Sequence, residues 1–96
     1  MSTDNGIYIL ETKGSNCYEY RVSYTMAIDN IEYNPDYGRF NKEQLIKVFG
    51  NSVVYTNEVE ALLDAMETKK VIEKSGNFIE YGICNIDASD MKFPEE

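Results

Sequence analysis

The stretch YEYRVSYTMAIDNIEY, residues 18–33, alternates in side-chain character until Asp29-Asn30, where the alternation breaks. This period of two predicts a half-buried β-strand, with one face on a core and the other in water. After the break the apolar residues change parity, so we predict a bulge or a bend near Asp29-Asn30. The predicted inner face carries Tyr18, Tyr20, Val22, Tyr24, Met26 and Ile28.

A first strand is predicted over residues 7–12, before this stretch. The turn cluster Lys13-Gly14-Ser15-Asn16 separates the two strands. A connection this short predicts an antiparallel hairpin.

Two helices are predicted in the second half of the chain. Asn41 is a candidate N-cap for the first, and Gly50 is a candidate C-terminal cap. Residues 53–55 then predict a short strand. Asn57 repeats the capping pattern at the start of the second helix, which carries one apolar face at helical spacing, Val59, Leu62, Leu63 and Met66.

The end of the second helix has two interpretations. The helix continues to about Lys74, which we favour, or it ends near Lys70 and residues 71–74 pair with the last strand. That strand is predicted over residues 78–86, and its apolar character on both faces favours a central place in the sheet. Residues 88–96 are predicted to be an acidic tail outside the ordered core of about residues 6–87.

These elements predict an α+β fold in one domain, residues 1–96, with the order ββαβαβ. We expect two layers, a four-stranded mainly antiparallel sheet with both helices packed against it.

The charge is the strongest global feature of the sequence. The chain has 17 acidic and 9 basic residues, a formal net charge of −8. Phosphate backbones and anionic membranes repel such a chain, so we expect no direct binding to nucleic acid or membranes. Positively charged partners are favoured instead. Without a visible secretory signal or an apolar run of spanning length, we expect a cytoplasmic protein.

The sequence offers little for catalysis, so we expect no enzyme activity, no cofactor and no metal. Histidine is absent, which removes the commonest general base and the commonest transition-metal ligand. Cys17 and Cys84 are distant in sequence and form no metal-binding motif. The closest carboxylate pairs, Glu58 with Glu60 and Asp87 with Asp90, are predicted to be solvated.

What remains is a surface for binding another macromolecule. Acidic side chains gathered on one face could imitate a phosphate backbone and occupy a basic groove, with tyrosines as anchors. The predicted partner-binding residues are Glu11, Glu19, Glu32, Tyr33, Asp36, Tyr37, Tyr55, Glu58, Glu60, Asp64 and Glu67.

The succession GIYILET, EYRVSYTMAIDNIEY, FGNSVVYTNEVEALLDAM and IEYGICNID resembles small acidic proteins of bacteriophages and mobile elements, some of which are anti-CRISPR inhibitors. The resemblance lies in size, charge and layout. It implies a non-enzymatic inhibitor that blocks a basic nucleic-acid-binding site on a host defence protein, and it assigns no individual residue.

Two functions therefore follow as hypotheses. The first is a phage-encoded protein-binding inhibitor of this kind. The alternative is a small accessory protein that uses its Tyr-rich sheet face to assemble with a host complex or with itself, for example as a homodimer.

Overall fold

The computed structural model describes residues 6–24, 33–34, 39–40 and 42–93, and the α+β class predicted from the sequence is confirmed. Three strands form one mixed sheet, and two short strands form a separate antiparallel pair. The elements in chain order are β1 (Ile7–Lys13), β2 (Tyr18–Tyr24), β3 (Tyr33–Asn34), β4 (Arg39–Phe40), α1 (Lys42–Phe49), α2 (Glu58–Lys74) and β5 (Ile83–Ala88).

The sheet has the strand order β2-β1-β5, so the predicted four-stranded, mainly antiparallel sheet is wrong. β1 and β2 form the predicted antiparallel hairpin, with Glu11 opposite Tyr20. β5 runs parallel to β1 and places Asp87 beside Glu11. The order ββαβαβ is also wrong, because α1 and α2 follow one another with no strand of the sheet between them in residues 42–93.

The central strand is β1, whereas the sequence favoured the last strand for that place. Ile7, Tyr8, Ile9 and Leu10 are all buried, because both faces of β1 are covered. β5 lies at an edge and begins at Ile83, five residues later than predicted from Phe78. Residues 7–10 and residues 78–86 are both mostly apolar in sequence, so this property alone could not rank the two strands.

The two helices lie on opposite faces of the sheet, which corrects the predicted two-layer arrangement to three layers. On one face, Leu45 and Phe49 of α1 pack with Tyr8 and Leu10. On the other, α2 packs over the face that carries Ile7, Ile9 and Tyr20. Each face of the sheet thus has its own hydrophobic core.

Helix α2 uses small residues to approach the sheet. Ala61 and Ala65 are fully buried, and they share a face because they are four residues apart. The strands already supply bulky side chains to this layer, so alanine fills the remaining space. The apolar face predicted for this helix points outward instead. Its members are all exposed: Val59, Leu62, Leu63 and Met66.

Local signals predicted the helix ends well. The side chain of Asn57 caps α2 by accepting a hydrogen bond of 2.8 Å from the backbone N–H of Val59. The helix continues to Lys74, which confirms the longer of the two interpretations. The position of Asn41, the candidate cap of α1, lies outside the described residues.

Three further predictions concern the connections. Residues 53–55 are not a strand; Tyr55 alone bridges β2, through two backbone hydrogen bonds of 2.8 Å with Tyr20. The core extends past the expected boundary at residue 87, because Ala88 and Phe93 are buried. The expected bulge at Asp29-Asn30 falls outside the described residues.

Candidate interaction surface

Three carboxylates from three different elements border one shallow concavity of about 70 Å³ on the α2 side of the sheet. Ligand pockets usually enclose at least about 300 Å³. The concavity therefore presents charge at a surface and does not enclose a small molecule. Its lining consists of Ile9, Glu11, Tyr20, Glu58, Asn85, Ile86 and Asp87.

The phenol of Tyr20 lies among these carboxylates and donates a hydrogen bond of 3.1 Å to Oε2 of Glu11. Burial raises the pKa of Tyr20 to about 12, with further contributions from that hydrogen bond and from the negative charges of Glu11, Glu58 and Tyr18. The phenol consequently stays protonated and acts as a fixed donor near neutral pH. It holds the Glu11 side chain in place without neutralising its charge.

A second tyrosine–carboxylate pair lies next to the first. The phenol of Tyr55 donates a hydrogen bond of 2.7 Å to Oδ2 of Asp64. This bond raises the pKa of Tyr55, and burial and the charges of Asp64 and Glu60 act in the same direction. Because the backbones of Tyr20 and Tyr55 are paired, the two pairs belong to one continuous region.

Asp87 completes the group from the edge strand. Its Oδ1 accepts a hydrogen bond of 3.0 Å from the backbone N–H of Ser89. Hydrogen bonds from the side chain and the backbone of Ser89 lower the pKa of Asp87, so its carboxylate is charged at neutral pH. We define the acidic surface by all these residues: Glu11, Tyr20, Tyr55, Glu58, Glu60, Asp64 and Asp87.

Five of the predicted partner-binding residues meet in the acidic surface, and two others do not. Glu19 lies on the opposite face of β2, where it forms an ion pair of 3.4 Å with Arg21. Glu67 is exposed on α2, outside the group. Tyr33 lies in β3, while Glu32, Asp36 and Tyr37 fall outside the described residues.

Sequence reasoning missed Tyr20 and Asp87. The alternation in β2 placed Tyr20 on the inner face, but nothing local showed that it would meet carboxylates. Asp87 reaches Glu11 only because β5 pairs in parallel with β1. That register is a long-range feature, so a local signal could not have revealed it.

Arg21 is a buried cation with a structural role. Arg21 donates to Oγ1 of Thr12 at 3.1 Å and stacks over the ring of Phe93, with 3.9 Å between the guanidinium carbon and the ring centroid. Together with the ion pair to Glu19, these contacts satisfy the charge inside the α1 face of the sheet. Arg21, which belongs to β2, therefore holds the segment after β5 in place through its contact with Phe93.

The described residues provide few groups for catalysis or metal binding. Burial raises the pKa of the Cys84 thiol, which keeps it protonated and weakly nucleophilic. Within residues 6–24 and 42–93, no cluster of three or more His, Cys, Asp or Glu side chains is arranged to hold a metal ion. None of the described helices combines the length and the apolar character needed to cross a membrane.

Comparison with known proteins found no family model, no curated protein and no solved structure that matches this chain.

Proposed function

We propose that this chain is a protein-binding module, without enzymatic activity, that docks a positively charged partner on its acidic surface. The observation that carries the proposal is the meeting of Glu11, Glu58 and Asp87 around the phenol of Tyr20. These carboxylates come from β1, α2 and β5, so the folded core holds their spacing. Preorganised charge of one sign favours fast and selective encounter with a surface of the opposite sign.

The surroundings of the acidic surface support binding of a protein. Val53 and Val54 are exposed in the segment that leads to Tyr55. Apolar contacts of this kind supply affinity, while the adjacent carboxylates supply orientation. A partner with a basic groove and an apolar rim would match both features.

The direct test is affinity capture from bacterial lysate, comparing the wild-type chain with the Glu11→Gln/Asp87→Asn variant. Both substitutions preserve shape and remove two charges from the acidic surface. We expect the variant to lose its captured basic proteins. The matched control is Glu43→Gln/Glu80→Gln, which removes two charges from other parts of the surface and should leave capture unchanged.

Salt provides a second criterion for the same proposal. Binding should weaken as ionic strength rises, because electrostatic steering is screened beyond about 10 Å at 0.1 M salt. Capture that is identical in low and high salt, or equally reduced in the two variants, would refute docking on this surface.

The narrower form of the proposal names the partner class. The chain would act in the cytoplasm of a bacterial host as a phage-encoded, anti-CRISPR-like inhibitor that occludes the nucleic-acid-binding site of a defence protein. Its support is the acidic surface together with the resemblance in size and charge. Purified defence effectors should bind the chain only when their DNA or RNA is absent, and simultaneous binding of both would contradict occlusion.

The alternative function, assembly through the Tyr-rich sheet face, has a structural cost. Tyr20 on that face is buried beneath α2. Self-assembly through this face would require α2 to move away from the sheet. The outward face of α2 offers a surface that needs no such rearrangement.

A further inference from the structure

The outward face of α2 is apolar although the helix already packs against the sheet with its other side. The exposed fractions of Val59, Leu63 and Met66 are 62%, 58% and 42%. Leu62 lies beside them and is also exposed. Helices that face water normally carry polar residues on this side, so the pattern indicates a surface that another molecule covers.

The apolar face of α2 continues toward β5 along the second half of the helix. A groove of about 390 Å³ runs between α2 and the start of β5, with Met66, Gly82 and Ile83 as its apolar part. Lys69, Lys70 and Glu73 complete its lining. Phe78 and Tyr81, in the segment that leads to β5, are exposed as well.

The charges of α2 are divided between its two halves. Residues 58–67 include four carboxylates and no basic side chain, whereas residues 68–74 include three lysines and one glutamate. A second α2 placed antiparallel would set the acidic half of each helix against the basic half of the other. A parallel arrangement would set like charges together, which is unfavourable.

We propose that two copies of this chain form a two-fold symmetric dimer by packing their α2 helices antiparallel, with the axis near Met66 in the middle of the helix. In this arrangement Val59 and Leu62 of one copy lie toward the groove of the other, and the acidic half of each helix lies against the basic half of the other, which carries Lys70 and Lys74. The two-fold axis repeats each contact, so one helix supplies both halves of a self-complementary interface.

The available apolar area is adequate for such a dimer. Six of the exposed apolar side chains of α2 and the following segment offer on the order of 500 Å² of apolar surface, taking about 150–250 Å² for a whole aromatic side chain and less for the aliphatic ones. A standard interface buries about 800 Å² on each partner, of which more than half is apolar. The six residues are Val59, Leu62, Leu63, Met66, Phe78 and Tyr81.

Dimerisation is separate from the docking of a basic partner, and sedimentation of the purified full chain across a wide concentration range tests it. The measurement is made in about 0.15 M salt, where exposed charges are screened beyond about 8 Å. We expect a dimer for the wild type. Leu63→Asp should raise the dissociation constant at least about tenfold, because it places a charge in the apolar centre of the interface. Lys47→Glu, on α1, is the control that should leave the dimer unchanged.

A charge-exchange experiment tests the antiparallel geometry. Lys70→Glu/Lys74→Glu makes both halves of α2 acidic, and Glu60→Lys/Glu67→Lys, which leaves Glu58 of the concavity in place, puts lysines in the first half as in the second. Each variant should be monomeric alone, and an equimolar mixture should form a heterodimer, because both contacts then join opposite charges. Circular dichroism establishes that each variant is folded; if one is not, Leu63→Asp and Met66→Asp carry the test.

Several outcomes would overturn the proposal. One is a wild-type chain that remains monomeric up to about 1 mM, which corresponds to less than about 4 kcal/mol of association free energy. Another is a dimer that survives Leu63→Asp and both charge reversals, which would place the interface elsewhere. A third is a monomer whose α2 face captures an unrelated helix. The Glu11→Gln/Asp87→Asn variant should still dimerise, so failure of partner docking and failure of the dimer are separable.

Discussion

The phenol of Tyr55 donates a hydrogen bond of 2.7 Å to Oδ2 of Asp64, and this contact fastens the segment before α2 to the second turn of the helix. Asp64 also accepts a hydrogen bond of 3.2 Å from Oγ1 of Thr68. The start of α2 is thereby fixed against β2, since Tyr55 is paired with Tyr20 through the backbone. The acidic surface depends on this attachment for its shape.

Replacing Tyr55 with Phe should lower the free energy of unfolding by about 0.5–1.5 kcal/mol, the usual net value of one hydrogen bond. The lower part of this range is expected because Asp64 keeps its bond from Thr68 and its contact with water. Urea denaturation measures the change. Tyr18→Phe, at a half-exposed phenol, is the matched control and should alter stability by less. Equal effects of the two substitutions would contradict a structural role for the Tyr55 hydroxyl.

Ala65→Leu should lower the free energy of unfolding by about 1–3 kcal/mol, because extra carbon atoms overpack the contact between α2 and the sheet. Leu63→Ala, two residues earlier on the outward face, should change it by no more than about 0.5 kcal/mol. Both are measured by thermal or urea denaturation at micromolar protein, to limit any contribution from dimerisation. The opposite ranking would mean that α2 packs with its apolar face inward.

Asn57→Ala should destabilise the protein by about 1 kcal/mol, because the backbone N–H of Val59 loses the side-chain oxygen that caps the helix. The loss should also appear as fraying of the first turn of α2 in amide hydrogen exchange. Asn51→Ala removes an exposed asparagine from the turn after α1 and serves as the control. Protection that is unchanged at the start of α2 would show that the cap contributes nothing.

Alkaline pH should destabilise the fold through Tyr20. Its folded pKa is raised to about 12, above the ordinary value of 10.0. Between these pH values the folded state binds more protons than the unfolded state, so stability is full below about pH 10 and is lost as pH rises through about 12. Tyr55, whose pKa is also raised, contributes in the same direction.

The measurement is urea denaturation at several alkaline pH values, together with the ultraviolet titration of tyrosinate. Tyr20→Phe should flatten the fall in stability and remove one late-titrating tyrosine from the eight in the chain. A titration in which every tyrosine ionises near pH 10 would contradict the burial of Tyr20 beside Glu11.

Prediction and structure agree best where the sequence signal is local. The hairpin of β1 and β2 follows from the alternation in residues 18–24 and from a turn in which a side chain at Gly14 would collide with the carbonyl oxygen of Cys17. The start of α2 follows from Asn57, whose cap geometry needs only the next two residues. Nearby residues determine such features whatever the remainder of the fold does.

Prediction failed where segments distant in sequence compete for the same place in the sheet. Residues 53–55 have the β-branched and aromatic character of a strand, yet only Tyr55 reaches β2, so the segment adds a single bridge. β5 could have entered the sheet at several places, and it took the free edge of β1 in parallel. Strand order depends on which pairing covers the most apolar surface, and composition does not rank those pairings.

The sequence by itself determined part of this protein: the hairpin of β1 and β2, the two helices with the Asn57 cap of α2, and a strongly acidic chain without histidine. Only the tertiary structure decided that β1 is central, that α2 turns its alanines inward and its larger apolar residues outward, and that Glu11, Glu58 and Asp87 share one surface. The physical reason is that propensity and capping act over a few residues, whereas the faces of α2 are chosen by the space left between bulky side chains of the sheet.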